Sequence, residues 1–200
     1  MFKNLISNFN PNDKMDLADR WLFAGSIVKS ESEVNGKKFS MYKNPLKINW
    51  SPSFPKNLMS KHLSIVYLIF VGSNLMKIGQ TSGKGGLKAC LNFYLNAGTD
   101  SPGFNRFAIN YLMRGELDKG NEVKVFMSYM ENIMVKVPTL MGETLMSVPV
   151  SAKGAEEASL EEYKKAFNRY PPWNFQENSE SLPKEIEVSF ADYRKMRAES

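Results

Sequence analysis

Three polar side chains interrupt stretches of sequence that otherwise suit a protein core. Tyr67 and Lys77 lie in the largely apolar stretch Ser64–Gly79, and Glu156 lies on the apolar stripe of a predicted helix. A phenol and an amine can exchange protons, and a carboxylate can bind a divalent cation. The competing interpretations are structural: Tyr67 as a core tyrosine whose hydroxyl finds a partner, and Glu156 as an acid that interacts with the helix dipole.

The relative direction of the Tyr67 and Lys77 side chains depends on one turn. Residues 65–71 are too apolar for an edge strand and predict a central one, and residues 75–78 predict a second strand after residues 72–74. Because side chains alternate along a strand, a three-residue loop directs Tyr67 and Lys77 to the same face and a two-residue loop directs them to opposite faces. We predict the three-residue loop.

The remaining pattern predicts helices and strands on both sides of this hairpin. Apolar residues at helical spacing predict helices over residues 86–96, 104–112 and 153–169, the last of which ends before two prolines. Alternation predicts a strand over residues 123–129, with 133–137 as its continuation or partner and 139–151 as a loop or hairpin. The other predicted elements are a helix from Asp13, a hairpin over residues 27–42 that turns at Asn35-Gly36, a loop as far as Lys61, a strand over residues 186–190, and a helix from Ala191.

Composition narrows the class of protein. The chain has 200 residues and a net charge of +5, and this length is enough to bury a substantial core. Between residues 34 and 99 there are nine lysines and no acidic residue, which favours a polyanionic partner; the alternative is a solvated lysine surface balanced by acids elsewhere. No apolar run is long enough for a membrane span, the start lacks a signal-peptide pattern, and the single cysteine, Cys90, allows no internal disulfide, so we expect a cytoplasmic protein without membrane contact.

The order of these features resembles the GIY-YIG nuclease superfamily. Val66-Tyr67 is similar to the first half of the motif that names the family, and Lys77-Ile78-Gly79 is similar to the second half with lysine in place of tyrosine. That replacement resembles the small GIY-YIG type II restriction endonucleases. Glu156 and the segment Pro171–Asn174 resemble the glutamate and the Pro-x-x-Asn end of later family motifs. The resemblance covers residues 64–174, a little over half of the chain.

The resemblance implies a role for each of four residues. Tyr67 would be the general base that removes a proton from the attacking water, and Lys77 would lower the pKa of Tyr67 or help to position it. Glu156 would be the protein ligand of a divalent cation, Mg²⁺ or Mn²⁺. Lys88 stands where the family has an arginine that binds the scissile phosphate.

The resemblance and the basic charge together imply double-stranded DNA as the partner, cut by a homodimer. The candidate DNA-contacting residues belong to the basic hairpin, to the Gly-rich loop that follows the second strand, and to one helix face: Lys37, Lys38, Lys43, Gln80, Lys84, Arg106, Asn110 and Arg114. Arginine and asparagine can read base edges, whereas lysine mostly contacts phosphate. Lys84 and Arg114 are also alternatives to Lys88 for the scissile phosphate.

The predicted architecture is an α+β domain, with a small three-stranded antiparallel sheet flanked by helices and an N-terminal β-hairpin extension. The predicted boundaries are 1–62 for the N-terminal arm and hairpin, 63–175 for the nuclease-like core, and 176–200 for a C-terminal extension. The expected activity is metal-dependent hydrolysis of phosphodiester bonds by a sequence-specific type II restriction endonuclease. Two alternatives stay open: a phage or mobile-element nuclease of lax specificity, and a DNA-binding descendant without activity.

Overall fold

The fold is built on one antiparallel sheet that has helices on both of its faces. The computed structural model describes residues 20–31, 41–98, 102–178 and 182–199. The sheet has five strands in the order β2-β1-β5-β3-β4, and every neighbouring pair is antiparallel. Its strands are β1 Leu22–Lys29, β2 Leu46–Trp50, β3 Ser64–Val71, β4 Asn74–Thr81 and β5 Val123–Met130. The helices are α1 Gly86–Leu95, α2 Phe104–Asp118, α3 Ala152–Phe167 and α4 Lys184–Ala198, and a short 3-10 turn spans Lys56–Leu58.

Strand β3 is central because both of its faces are apolar. All eight of its residues are buried. The odd-numbered side chains from Ile65 to Val71 pack with α1 and α2, and the even-numbered ones from Val66 to Phe70 pack with Leu160 and Tyr163 of α3. A strand covered on both faces reads as a continuous apolar run, which is the pattern that predicted a central strand. Among the described residues, no helix is long and apolar enough to cross a membrane.

The predicted three-stranded sheet is wrong, because the N-terminal residues add two strands to it. β1 pairs with β5, and β2 forms the outer edge beside β1. The partner of β1 in the N-terminal hairpin is therefore Leu46–Trp50, which we predicted to be loop, and residues 41–44 form bends. Prolines at positions 45 and 52 flank β2, and proline is tolerated at the ends of an edge strand. The predicted Asn35-Gly36 turn and the helix from Asp13 lie outside the described residues.

Two further elements differ from the prediction. Residues 186–190 are not a strand but the first turns of α4, where Ile186, Phe190 and Tyr193 pack against Phe107 of α2. Residues 133–148 form a second, two-stranded sheet of β6 Ile133–Thr139 and β7 Gly142–Val148, so residues 133–137 are neither a continuation nor a partner of β5. We call this the 133–148 hairpin. Its strands expose large apolar side chains: Ile133 52%, Met134 61%, Leu145 61% and Met146 50%.

Candidate active site

The register of β3 and β4 directs Tyr67 and Lys77 to the same face, as predicted, but for a different reason. The loop has two residues, because Val71 pairs with Asn74, and the predicted three-residue loop is wrong. The additional residue is a bulge at Met76, since Phe70 pairs with Leu75 while Ile69 pairs with Lys77. Directly paired residues share a face, so Lys77 lies on the same face as its partner Ile69. Tyr67 is two residues before Ile69 in β3 and therefore lies on that face as well.

Tyr67 occupies a closely fitted position within the sheet. Its ring lies over Gly79, its cross-strand partner, where an added Cβ would lie 2.4 Å from the Tyr67 hydroxyl oxygen. The Tyr67 hydroxyl is 2.9 Å from that of Tyr94 on α1. Only 1% of Tyr67 is exposed. Burial raises the pKa of Tyr67 well above that of a free phenol, and the neighbouring Cys90 and Tyr94 raise it further.

Lys77 and Glu156 act on each other, although 79 positions separate them in the chain. Burial lowers the pKa of the Lys77 amine, and the carboxylates of Glu177 and Glu156 oppose that effect. Burial also raises the pKa of Glu156, which Lys77 opposes and Glu177 reinforces. α3 packs against β4 and β3, and Glu156, near its N-terminal end, is close enough to Lys77 for the charge of each to act on the other. Tyr67, Lys77 and Glu156 therefore lie in one region.

The segment after α3 seals the edge of β4 and completes this region. Asn174 is buried; its Oδ1 accepts a hydrogen bond from Ile78 N at 2.9 Å, and its Nδ2 donates one to Ile78 O at 2.9 Å. The backbone N–H of Trp173 donates to Met76 O at 2.8 Å. The following turn, closed by a 3.2 Å hydrogen bond from Glu177 N to Asn174 O, brings Glu177 within electrostatic reach of Lys77. The resemblance included Asn174 only as the end of a motif. In the structure, Asn174 holds the segment after α3 against β4.

Lys88 is exposed on α1, and its backbone N–H donates to Met59 O at 2.8 Å, on the side of the loop before β3. The α1 side chains that face the site are those of Cys90 and Tyr94, which we did not predict as functional. Their inward position follows from the helical stripe that they share with Leu87 and Leu91.

The predicted DNA-contacting residues fall into three groups. Asn110 is 1% exposed and donates to Tyr94 O and Leu95 O, and Arg114 is 7% exposed, donates to Asn110 and stacks 3.7 Å from the Tyr42 ring centroid. For these two residues the prediction is wrong, because their polar groups are engaged inside the protein. Arg106, Lys43 and Lys84 are exposed, and Gln80 is partly buried at the end of β4. Lys37 and Lys38 lie outside the described residues.

The donor set near Lys77 suits a cation that takes most of its ligands from elsewhere. In the described part of the chain, no group of three or more His, Cys, Asp or Glu side chains could hold a metal. Glu156, with Glu177 near it, leaves most positions of an octahedral Mg²⁺ shell to water and substrate phosphate, which is how Mg²⁺ is commonly bound. These residues therefore fit a metal that is completed by its substrate.

No protein-family model matches the chain, and no curated protein matches it. Among solved structures, it is similar to a mutant of EndoII of bacteriophage T4, with 22% identity over 60% of this chain and 83% of that chain and a TM-score of 0.33. It is also similar to restriction endonuclease HPY188I, solved in complex with product DNA, with 14% identity over 84% of this chain and 87% of that chain and a TM-score of 0.39. At these TM-scores neither structure assigns a function, which has to be inferred from the chain's own residues.

Proposed function

We propose that the chain is a metal-dependent endonuclease of the GIY-YIG type that hydrolyses phosphodiester bonds in double-stranded DNA, as a sequence-specific type II restriction enzyme. The observation that carries this proposal is the convergence of Tyr67 and Lys77, which came from the two halves of one motif, with Glu156, which came from another. A phenol, an ammonium and a carboxylate in one region can serve proton transfer, attraction of the phosphate and metal binding in the hydrolysis of a phosphodiester. The close fit of Tyr67 over Gly79 supports the same reading of the Lys-Ile-Gly motif.

Each side chain has a chemical task in this proposal. Glu156 would hold Mg²⁺ or Mn²⁺, which would neutralise the charge that develops on the phosphate and assist the leaving oxygen. The Lys77 ammonium, whose charged form Glu177 and Glu156 favour, would attract the phosphate to the site. Tyr67 is neutral at neutral pH, because its pKa is raised. To act as general base, Tyr67 would first lose its own proton to solvent, which the Lys77 ammonium on the same face would favour. The phenolate would then take the proton of the attacking water, and the Tyr94 hydroxyl, 2.9 Å away, can donate a hydrogen bond to it.

Cleavage of plasmid and phage DNA tests the proposal directly. The wild-type chain should cut DNA with Mg²⁺ and lose this activity with EDTA. Glu156→Gln should abolish cleavage, while Glu157→Gln, an exposed acid at the next position of the same helix, should retain it. Wild-type DNA that stays intact with every divalent metal would overturn the proposal. Sequencing the cut ends separates one recurrent site, expected for a restriction enzyme, from the scattered ends of a lax phage or mobile-element nuclease.

A DNA-binding descendant without activity is the second candidate, and one observation favours it. Lysine stands at position 88, where the family has an arginine, and it offers a phosphate a point charge in place of a bidentate fork. That candidate predicts salt-sensitive DNA binding that Tyr67→Phe leaves unchanged, with no product on a gel.

We also propose that the chain acts as a homodimer, because two active sites related by a two-fold axis can cut both strands of a symmetric target. The 133–148 hairpin supports a second copy as the partner. Its only charged side chains, Lys136 and Glu143, lie 3.9 Å apart and cancel, so the hairpin offers DNA no net positive charge. Its apolar side chains suit a self-complementary contact. In sedimentation, the wild-type chain should dimerise, and Leu145→Ser with Met146→Ser should shift it to monomer; an unchanged distribution would refute this surface.

A further inference from the structure

The internal contacts of Arg114, on α2, leave part of its guanidinium without a partner. The residue is 7% exposed, although a buried arginine is normally paired with an acid. Its Nε donates to Asn110 Oδ1 at 3.1 Å, and its guanidinium carbon lies 3.7 Å from the centroid of the Tyr42 ring. Within the described ranges, no carboxylate forms an ion pair with Arg114, and no acceptor bonds to its two terminal amino groups. A buried charge usually has more compensation than this.

A cavity of about 550 Å³ opens at this guanidinium. Its walls come from the end of β1, the segment before β2, the second half of α2 and the start of α4, and they include Lys29, Tyr42, Lys43, Tyr111, Arg114 and Glu185. No Arg114 atom is enclosed without a partner, so its terminal amino groups open into the cavity. An added Cβ on Gly115, which also lines the cavity, would meet no atom within 4 Å. There is therefore room for a ligand beside Arg114.

Two of the acids that line the cavity are already paired with lysines. Lys29 forms an ion pair with Asp118, and Lys119 forms one with Glu116 at 2.8 Å. Burial lowers the pKa of Arg114, and Asp118, one turn later on the same helix, opposes that effect only in part. The Arg114 charge is therefore not neutralised by the acids on its own helix.

The two remaining charges of the cavity wall do not neutralise Arg114 either. Glu185 lies in the first turn of α4, where an acid is stabilised by the helix dipole. Lys43 is exposed and adds a second positive charge to the same wall. The cavity thus offers positive charge to a ligand, with the guanidinium in its interior and an ammonium nearer to solvent.

The Arg114 guanidinium is held in position before any ligand binds. The Tyr42 ring, on which it stacks, packs closely on Gly98, where an added Cβ would lie 2.5 Å from the ring. Asn110, which accepts from Arg114, also donates to two backbone carbonyl oxygens at the end of α1, at 2.7 and 3.0 Å. A fixed arginine loses little conformational freedom when it binds an anion, so its hydrogen bonds to a ligand are gained at low entropic cost.

We propose that Arg114 anchors a binding site for a small oxyanion, a carboxylate or a phosphate monoester, whose oxygens accept hydrogen bonds from the two terminal amino groups. The planar fork of a guanidinium matches both groups. The second charge, on Lys43, favours the doubly charged phosphate monoester. Because so little of Arg114 is exposed, we expect a free small molecule and not the backbone of a duplex. The site lies apart from the proposed nuclease site, since Tyr67, Lys77 and Glu156 are not among the residues that line the cavity.

Isothermal titration of the full-length chain tests this inference with three probes: acetate, inorganic phosphate and deoxyadenosine monophosphate. EDTA removes divalent metals, and chloride keeps the ionic strength constant. The wild type should bind at least one probe with one-to-one stoichiometry, and tighter binding of acetate or of phosphate identifies the anion. Arg114→Met should raise Kd at least about tenfold. Lys43→Ala should weaken phosphate more than acetate. Arg194→Ala, an exposed arginine of α4 outside this cavity, should bind as wild type.

Thermal melts and DNA binding complete the test. A saturating probe should raise the Tm of the wild type and leave that of Arg114→Met unchanged. Should Arg114→Met not fold, as circular dichroism shows, Arg114→Lys is compared instead, because it keeps the charge and lacks the fork. No binding of any probe by the wild type, or equal binding by the Arg114 variant, would overturn the inference.

DNA binding by the same variants distinguishes this site from a DNA contact and from the proposed function. The slope of log K against log salt should be the same for Arg114→Met and the wild type, and a slope smaller by about 0.9 would reveal a backbone phosphate at Arg114 and overturn the inference. A wild type that cuts DNA but binds no probe refutes this inference alone. A wild type that binds a probe through Arg114 but does not cut DNA refutes the nuclease proposal alone.

Discussion

Asn174 should contribute several kcal/mol to the free energy of unfolding, because its amide hydrogen-bonds to both backbone groups of a fully buried residue on an edge strand. Ile78 is 0% exposed, and its N–H and C=O each bond to the Asn174 amide at 2.9 Å. Asn174→Ala removes both partners at once. A neutral hydrogen bond contributes about 1 kcal/mol net, but a buried polar group left without a partner costs about 1–3 kcal/mol. Two such groups give an expected loss of about 2–6 kcal/mol in the free energy of unfolding.

Urea unfolding and thermal melts measure this loss. A decrease of about 3 kcal/mol corresponds to roughly 6–12 °C in Tm for a chain of this size. Hydrogen exchange gives a local readout, because the Ile78 amide should be protected in the wild type and should exchange quickly in Asn174→Ala. Cleavage should also fall at temperatures where the variant is folded, since Lys77 and Gly79 flank Ile78.

Asn178→Ala is the matched control for this prediction. Its side chain also makes two hydrogen bonds, to Pro171 O and Asn174 O, but it is only half-buried, so water can replace it. We expect a loss of about 1 kcal/mol or less. A loss below about 1 kcal/mol in Asn174→Ala, or an Ile78 amide that stays protected, would refute the reasoning.

Three other changes have definite expected outcomes. Gly79→Ala should cost about 1–3 kcal/mol in a thermal melt, because the new Cβ would lie 2.4 Å from the Tyr67 ring. Gly115→Ala, inside α2 and with no atom within 4 Å of the new Cβ, should be neutral or slightly stabilising. Burial raises the pKa of Glu156, so the folded state holds that proton more tightly than the unfolded state, whose carboxyl titrates near 4.5. The contribution of Glu156 to stability is therefore present below pH 4.5 and is lost as the pH rises through the folded pKa. In urea unfolding, Glu156→Gln should lack the decrease of the free energy of unfolding over this pH range. Burial lowers the pKa of Lys77, so its contribution to stability depends on pH in the opposite direction: it is present above pH 10.5 and is lost as the pH falls through the folded pKa. Lys77→Met should remove this pH dependence of the free energy of unfolding, and a dependence identical to wild type would contradict the assignment.

The central residues of the site could be predicted because each is polar within an apolar pattern. Tyr67 interrupts a strand buried on both faces, and Glu156 interrupts a helical stripe, so local periodicity is enough to identify them. The shared face of Tyr67 and Lys77 was also predicted, but the sequence does not distinguish an extra residue in the turn from a bulge at Met76. Either change shifts the register by one residue, so either places Tyr67 and Lys77 on the same face of the sheet.

Other features depend on information that local periodicity does not contain. The direction of Lys88 depends on where α1 begins after a Gly-rich loop, and an error of one residue rotates a helical side chain by about 100°. Residues 186–190 alternate as a strand would, yet Glu185 and Glu187 in the first turn and Lys195 and Arg197 in the last turn of α4 match the helix dipole. The contact of Asn174 with β4 joins positions 96 residues apart, and no local pattern predicts it.

That contact also determines when the site can exist during synthesis. A chain grows from its N-terminus, at about 5–20 residues per second, so β3, β4 and α1 are complete long before residues 173–178 have been made. Until those residues emerge, the outer edge of β4 is unpaired, Ile78 has no partner for either backbone group, and Glu177 is absent from the surroundings of Lys77. The proposed nuclease site is therefore assembled only after most of the chain has been translated, and a nascent chain still short of Asn174 carries the motif residues without the geometry that would let them act on DNA.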